Sequence, residues 1–305
     1  MLRNITSIML CFALLACSSG EKSKSGAQTK DDEHPLELAL PQVPDTITEP
    51  ADRAAYIMMY FWDTLQFTDT IKSLDKDFVE QNFSNFISLF PIARTVNQRV
   101  AVKKLMHLAK ADNKVYDLFV ETARKYLYEP NSPMYNEEIY RLFVENVLAD
   151  SVASEAQVER LKVEHEWMSV NSVGSVATDF SYRTADGKTS SLLRTPISDQ
   201  LMLVMYDPTC DHCQDVINAL GEDPKIKSNI KSGKLKVLAV NLDGHNPSLN
   251  LPEGWLDVAD TGGIRDHELY IIRATPAIYL IDADHRITDK DVPPTSIISF
   301  PNPNG

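Results

Sequence analysis

Cys210 and Cys213 are the residues of this chain whose type and spacing bear most directly on chemistry. They sit in the run Met202-Leu-Val-Met-Tyr-Asp-Pro-Thr-Cys-Asp-His-Cys-Gln-Asp-Val-Ile-Asn-Ala-Leu-Gly221. The apolar stretch up to Tyr206 reads as a strand, the next residues as a turn, and the remainder as the start of an amphipathic helix. That order puts both cysteines at a helix N-terminus. Unpaired backbone N–H groups and the positive end of the helix dipole stabilise a thiolate there, lowering a free-thiol pKa of ~8.5 by one to several units. Such a pair can also close a disulfide between its own members, so one cysteine can attack a partner and the other release it. The same spacing serves half of a zinc site or two buried core cysteines, and the flanking elements must decide between these readings.

Those elements begin near Ser169 to Ser172, where the texture changes from helical spacing to short β-type runs and turn dipeptides. Val173 to Phe180 and a hairpin turn at Asp186-Gly187 lead into the predicted strand Leu201 to Tyr206. The cysteine helix follows, then the strand Leu235 to Asn241 and an irregular insert from Leu242 to Gly263. A short helix from Ile264 to about Ile271 is expected next, then Arg273-Ala-Thr-Pro276 and the strand Ala277 to Ile281. Strand–helix–strand order with helix-length crossovers predicts an α/β region: a mixed sheet with some parallel pairing and helices on its faces.

Residues 173 to about 288 resemble the TlpA/ResA branch of the thioredoxin fold. The resemblance rests on Gly174-x-x-Ala177-x-Asp179-Phe180, Asp186-Gly187, Cys210-Asp-His-Cys213 and Ala274-Thr-Pro-Ala-Ile-Tyr-Leu-Ile-Asp282. It implies a thiol–disulfide oxidoreductase that works on protein thiols and disulfides with a redox partner protein and no cofactor. Cys210 would be the exposed nucleophile and Cys213 the buried resolving thiol. Thr275 and Pro276 would bind substrate, with Pro276 a cis proline facing the pair and crowding it against a metal. His212, when cationic, favours the Cys210 thiolate, whereas Asp207 and Asp211 oppose it. Copper held by Cys210, His212 and Cys213 is a further reading of the same residues. Two departures stand out: thioredoxins carry a buried Asp at the position of Val204, and ResA-like proteins a Glu at that of Val216. The proton of the second cysteine is then left to Asp215, water or His212. After Arg286 the chain is rich in proline, and the usual closing helix is expected to shrink to a turn or two near Thr295 to Phe300.

The stretch 49–170 reads as an all-α domain ahead of the thioredoxin-like domain, 171–305. Val79, Phe83, Phe86 and Phe90 form one apolar stripe at helical spacing, and Val102, Leu105, Met106 and Ala109 a second. Val115, Leu118, Phe119, Thr122 and Tyr126, then Ile139, Leu142, Phe143 and Val147, form two more. Val158, Leu161, His165 and Met168 form a fifth. Asp75 is a predicted N-cap, and Pro91, Asp112-Asn113 and the turn Pro130-Asn-Ser-Pro133 separate the helices. His107 and His165 have no second ligand at metal spacing. Tyr56, Tyr60, Phe61, Trp62 and Phe67 read as a packing plug. With Asp63 they resemble the start of a helical domain of unknown function that precedes thioredoxin-like domains in bacterial lipoproteins. A binding or scaffold lipoprotein, engaging a partner through these helices with the thioredoxin-like domain as platform, is the alternative function.

At the N-terminus, Arg3 precedes the apolar run Ile5 to Ala16, which is too short at ~1.5 Å per residue to cross ~30 Å of hydrocarbon and reads as a signal peptide over 1–16. Leu14-Leu15-Ala16-Cys17 resembles the lipobox of bacterial lipoproteins. That resemblance implies lipidation of Cys17 and a cell-envelope lipoprotein, expected on the outer membrane facing the periplasm, and the polar stretch Ser18 to about Thr48, which lacks periodicity, reads as a flexible tether over 17–48. The 305 residues are 43% hydrophobic and 24% charged, ordinary for globular domains. A formal charge of -13 with no basic cluster argues against nucleic acid. With Cys11 and Cys17 in the processed region, the mature fold has one local cysteine pair and relies on its core rather than on cross-links.

Overall fold

A computed structural model describes residues 37–130, 132–244, 250–294 and 297. The predicted signal peptide and Cys17 lie outside the described residues, as does most of the expected closing turn. Among the described residues no helix is long and apolar enough to cross a membrane.

Seven helices come first: α1 (Pro50–Tyr60), α2 (Thr70–Ser73), α3 (Lys76–Ile87), α4 (Thr95–Ala109), α5 (Asn113–Leu127), α6 (Glu137–Leu148) and α7 (Glu155–Ser169). Their starts are set by local chemistry. Asp75, Asp112, Asn136 and Ser154 each accept a hydrogen bond from a backbone N–H of the first turn, and Pro50 opens α1. The stripes on α3 to α6 meet in one core, where Val79, Phe83, Phe86, Phe90, Val102, Leu105, Phe119 and Val147 are fully buried. Phe61, Trp62 and Phe67 plug this core, with the Trp62 ring edge-on to Phe119 at 5.1 Å. The α7 stripe differs from its apolar reading. It buries Leu161 and Met168 together with Glu164, whose carboxylate accepts from Arg124 Nε at 2.8 Å and Tyr140 Oη at 2.6 Å.

The second region contains β1 (Ser181–Thr184), β2 (Thr189–Ser191), β3 (Gln200–Tyr206), α8 (Asp211–Glu222), α9 (Pro224–Lys231), β4 (Leu235–Asn241), β5 (Trp255–Asp260), β6 (Ala277–Asp282) and β7 (Ile287–Asp289). They form a mixed sheet of order β2-β1-β5-β4-β3-β6-β7. β3, β4 and β5 run parallel, whereas β6 runs antiparallel to β3 and β1 to β5. β3 is apolar throughout because both its faces are covered: Met202, Val204 and Tyr206 face the cluster that includes α8, and Leu201, Leu203 and Met205 face the opposite core. The bundle and the sheet belong to one compact unit.

Two expectations are corrected. The insert is not irregular throughout, since Trp255 to Asp260 pairs with β4 as a strand. The helix expected from Ile264 to Ile271 is absent. Asp260 accepts from the N–H groups of Gly263 and Ile264 and starts a turn, but Glu268 at φ 49° takes the chain out of helical geometry within it. The insert is held against α8 at Gly221, where a Cβ would collide with the Pro252 ring.

Candidate active site

The end of β3 delivers Asp207, whose carboxylate accepts from Thr209 N at 2.8 Å and Thr209 Oγ1 at 2.7 Å. Cys210 N donates to Asp207 O at 3.2 Å, closing the turn. Cys210 then takes the N-cap position of α8, where a Ser or Asp would ordinarily stand, and its Sγ accepts from Cys213 N at 3.3 Å. The Cys210 thiol is partly exposed, whereas Cys213 is fully buried among Met202, Val204, Tyr206 and Ile217. From across the sheet, the loop before β6 brings Thr275 O to 3.9 Å from Cys210 Sγ, and the Thr275–Pro276 peptide is cis.

The two thiols differ in acidity for separate reasons. A hydrogen bond from the Cys213 thiol, then the backbone N–H of Cys213, Thr275 and the backbone N–H of His212, hold Cys210 below the usual thiol value. Burial pushes Cys213 up to about 11, and the neighbouring Cys210 adds to the shift. His212 acts on Cys210 through its backbone N–H, while its exposed side chain lines the cleft beside the pair. Asp207 is turned toward Thr209, and Asp211 and Asp215 are exposed on α8. Val204 and Val216, the two positions at which the chain departs from the acids of similar sequences, are buried. Among the described residues no three His, Cys, Asp or Glu side chains converge as a metal-ligand group, and Cys210, His212 and Cys213 are not so arranged.

This geometry can be set beside known proteins. Residues 16–171 match the family described as Domain of unknown function (DUF5106). The chain belongs to that family. Over 86% of its length it is similar to a thioredoxin-like protein from Bacteroides caccae, covering 96% of that chain at 29% identity with a TM-score of 0.75. The match is too long for the sheet region alone, so this DUF5106 chain shares both its helices and its thioredoxin-like fold with that protein. It is also similar to a conserved protein of unknown function from Bacteroides fragilis, at 34% identity over 41% of this chain and 96% of that one, TM-score 0.37. A thiol:disulfide interchange protein from Bacteroides sp. matches at 18% identity over 42% of this chain and 86% of that one, TM-score 0.34. No curated protein matches the chain.

Sequence reasoning missed two groups near the site of this DUF5106 chain. One is Arg273, two positions before Thr275, whose guanidinium is largely buried against the helices. The other is Asp257. Val204, Ala239 and Asp257 stand in one row across β3, β4 and β5, so an acid shares the row of Val204 but stands two strands away. Tyr206 Oη donates to Asp257 Oδ1 at 3.2 Å, and burial raises the Asp257 carboxyl to about 6. The run Trp255-Leu-Asp-Val-Ala-Asp260 does not alternate, so no strand period marked this acid in the chain. Because the folded state raises this pKa, stability is lost as pH climbs from ~3.9 to about 6 and stays lost above it. Asp257→Asn keeps an acceptor for Tyr206 and removes the charge. It is expected to stabilise the protein at pH 7.5 by on the order of 1 kcal/mol, discounted for partial exposure, with the gain gone below pH ~4. Urea unfolding of both proteins at the two pH values checks this, and an equal gain at both would show that the carboxylate is not its source.

Proposed function

We propose that this protein is a thiol–disulfide oxidoreductase of the cell envelope, acting on protein cysteines through Cys210 and Cys213. The observation that carries the reading is the asymmetry of the pair: a partly exposed thiol of lowered pKa at a helix N-cap, beside a buried thiol of raised pKa. The Cys210 thiolate attacks one sulfur of a substrate disulfide, and that S–S bond breaks as the mixed disulfide forms. The released substrate thiolate takes up a proton. Cys213 then gives up its proton and attacks Cys210 Sγ, expelling the second substrate thiolate and leaving a Cys210–Cys213 disulfide. The pair has lost two electrons and the substrate has gained them; run backwards, the same steps oxidise a dithiol. Thr275 and Pro276, beside Cys210, hold the substrate chain, whose extended backbone adds along this edge. No backbone–backbone hydrogen bond engages residues 273–275 among the described residues, which leaves that edge free for a partner. The lipobox-like Leu14-Leu15-Ala16-Cys17 supports an envelope location with Cys17 as the lipid anchor, in a compartment where disulfides persist.

A trapping experiment tests the proposal. Cys213→Ser blocks resolution, so expression of full-length protein is expected to accumulate mixed disulfides that run as high-mass, reductant-sensitive bands. Cys210→Ser should give none. If the Cys213→Ser protein stays monomeric and the wild type never reduces or oxidises a protein disulfide, the reading fails.

A further inference from the structure

Beside the cysteine pair runs a cleft of about 440 Å3, within the size range of ligand sites. One wall comes from the thioredoxin-like side: His212, Val216, Thr275 and Pro276. The other comes from the helices, as the turn between α5 and α6 supplies Pro130, Ser132, Pro133 and Tyr135.

Arg273 accounts for the closeness of the two walls. Its guanidinium lies 3.8 Å from the centre of the Tyr128 ring. Nη1 donates to Tyr128 O at 2.6 Å and Nη2 to Tyr135 Oη at 2.8 Å. The Tyr135 hydroxyl reaches Asp291 Oδ2 and Glu137 Oε2, each at 3.1 Å. A buried guanidinium stacked and hydrogen-bonded in this way has little freedom to move. Thr275, the residue that touches Cys210, is therefore braced from the helical side. The chemistry of the opposing wall is also specific. Pro130 and Pro133 have no N–H to offer, and Ser132, which also lines the cleft, donates its N–H to Glu129 O and its hydroxyl to Tyr126 O, so these three residues present no competing donor. On the facing wall, the main chain at residues 273–275 makes no backbone–backbone hydrogen bond among the described residues and is free to pair.

We propose that the α5–α6 turn is the specificity wall of the redox site. It selects extended polypeptide segments with apolar side chains flanking the reacting cysteine, and Arg273 is the positioning residue that holds the turn against the Thr275–Pro276 loop. The occupant follows from the continuity of the cleft with Cys210, from the unpaired main-chain edge on one side and from the Pro130 and Pro133 rings on the other. This inference rests on the thiol–disulfide exchange proposed above.

The test uses the full-length reduced protein and three disulfides: 2-hydroxyethyl disulfide, a short peptide with its one cysteine capped by 2-mercaptoethanol and flanked by Val and Leu, and the same peptide with Ser in their place. The wild type is expected to prefer the Val/Leu peptide by about tenfold in kcat/KM. Pro133 is exposed and makes no side-chain hydrogen bond, so Pro133→Asp and Pro133→Trp alter the wall without breaking the fold. Both should erase most of that preference, through KM for the Val/Leu peptide, and lower its rate relative to hydroxyethyl disulfide about tenfold. Arg273→Lys keeps the charge but not the stacked fork, and should reduce the same ratio. A wild type indifferent to the flanking residues, or variants that retain its selectivity, would overturn the inference. A wild type inert toward all three disulfides would instead overturn the exchange reaction itself.

Discussion

Iodoacetamide at pH 7 is expected to modify Cys210 at least about a hundredfold faster than Cys213. Alkylation follows thiolate concentration and access. Cys213 is pushed up to about 11 by burial, so only about one in ten thousand of its thiols is ionised at pH 7. Cys210 lies below the usual thiol value, and ionisation alone separates the two by more than about a hundredfold. The lower-pKa thiolate is intrinsically the weaker nucleophile, which takes back roughly tenfold. Access restores the gap, because Cys213 is 0% exposed. Brief labelling followed by tandem mass spectrometry reads the ratio directly. The rate at Cys210 should rise with pH to a midpoint below that of the same cysteine in denaturant, since folding favours its charged form. Equal labelling of the two thiols, or a midpoint that does not move on unfolding, would contradict the site geometry.

Lys290→Met is expected to cost about 3–5 kcal/mol of stability, the largest effect predicted for a residue remote from the cysteines. Lys290 Nζ donates to Glu137 Oε1 at 3.0 Å, to Val170 O at 2.9 Å and to Trp167 O at 3.3 Å. The ion pair is almost dry, with side chains 5% and 8% exposed. Surface pairs contribute little, but breaking a buried one leaves a charge without compensation. Burial raises the Glu137 pKa and Lys290 lowers it, so losing Lys290 drives Glu137 toward its neutral form. With the folded pKa raised, stability falls as pH rises through it. The variant should therefore lie closer to wild type at about pH 5 than at pH 8. Lys290→Met with Glu137→Leu removes both charges and should recover most of the loss, although two carbonyls still lack their donor. Urea denaturation of the four proteins forms a double-mutant cycle. A single variant within about 1 kcal/mol of wild type at pH 7 would mean that the pair is hydrated rather than buried.

What could be read from the chain alone was local. Asp75 and Asp112 act within three residues of themselves, and Cys210 caps α8 through the N–H three positions on, so these features are written into short spacings. The apolar stripes of α3 to α6 follow the helical period because one face of each meets the core. The cysteine helix was legible for the same reason, whereas the mixed sheet rested on element order and Thr275–Pro276 beside Cys210, 65 positions away, on a resemblance carried by several motifs. The insert failed the local test. Trp255 to Asp260 is a strand only because β4 offers it an edge, and the turn after Asp260 closes on that carboxylate rather than continuing as a helix.

Only the tertiary structure decided the long-range polar pairs and the wall that stands beside the cysteines. Arg273 meets Tyr128 across 145 positions, Lys290 meets Glu137 across 153, and Tyr206 meets Asp257 across 51. Hydrogen bonds and ion pairs over such separations leave no period in a sequence, because each partner satisfies its own local pattern whether or not the other is near. The turn at Pro130 to Pro133 reads in the chain as a break between helices, and becomes one wall of the cleft only where Arg273 draws the helices against the Thr275–Pro276 loop. The sequence by itself determined that Cys210 stands at a helix start. Folding determined the acidity of the pair, because burial and hydrogen-bond partners set a pKa and both are properties of the packed state.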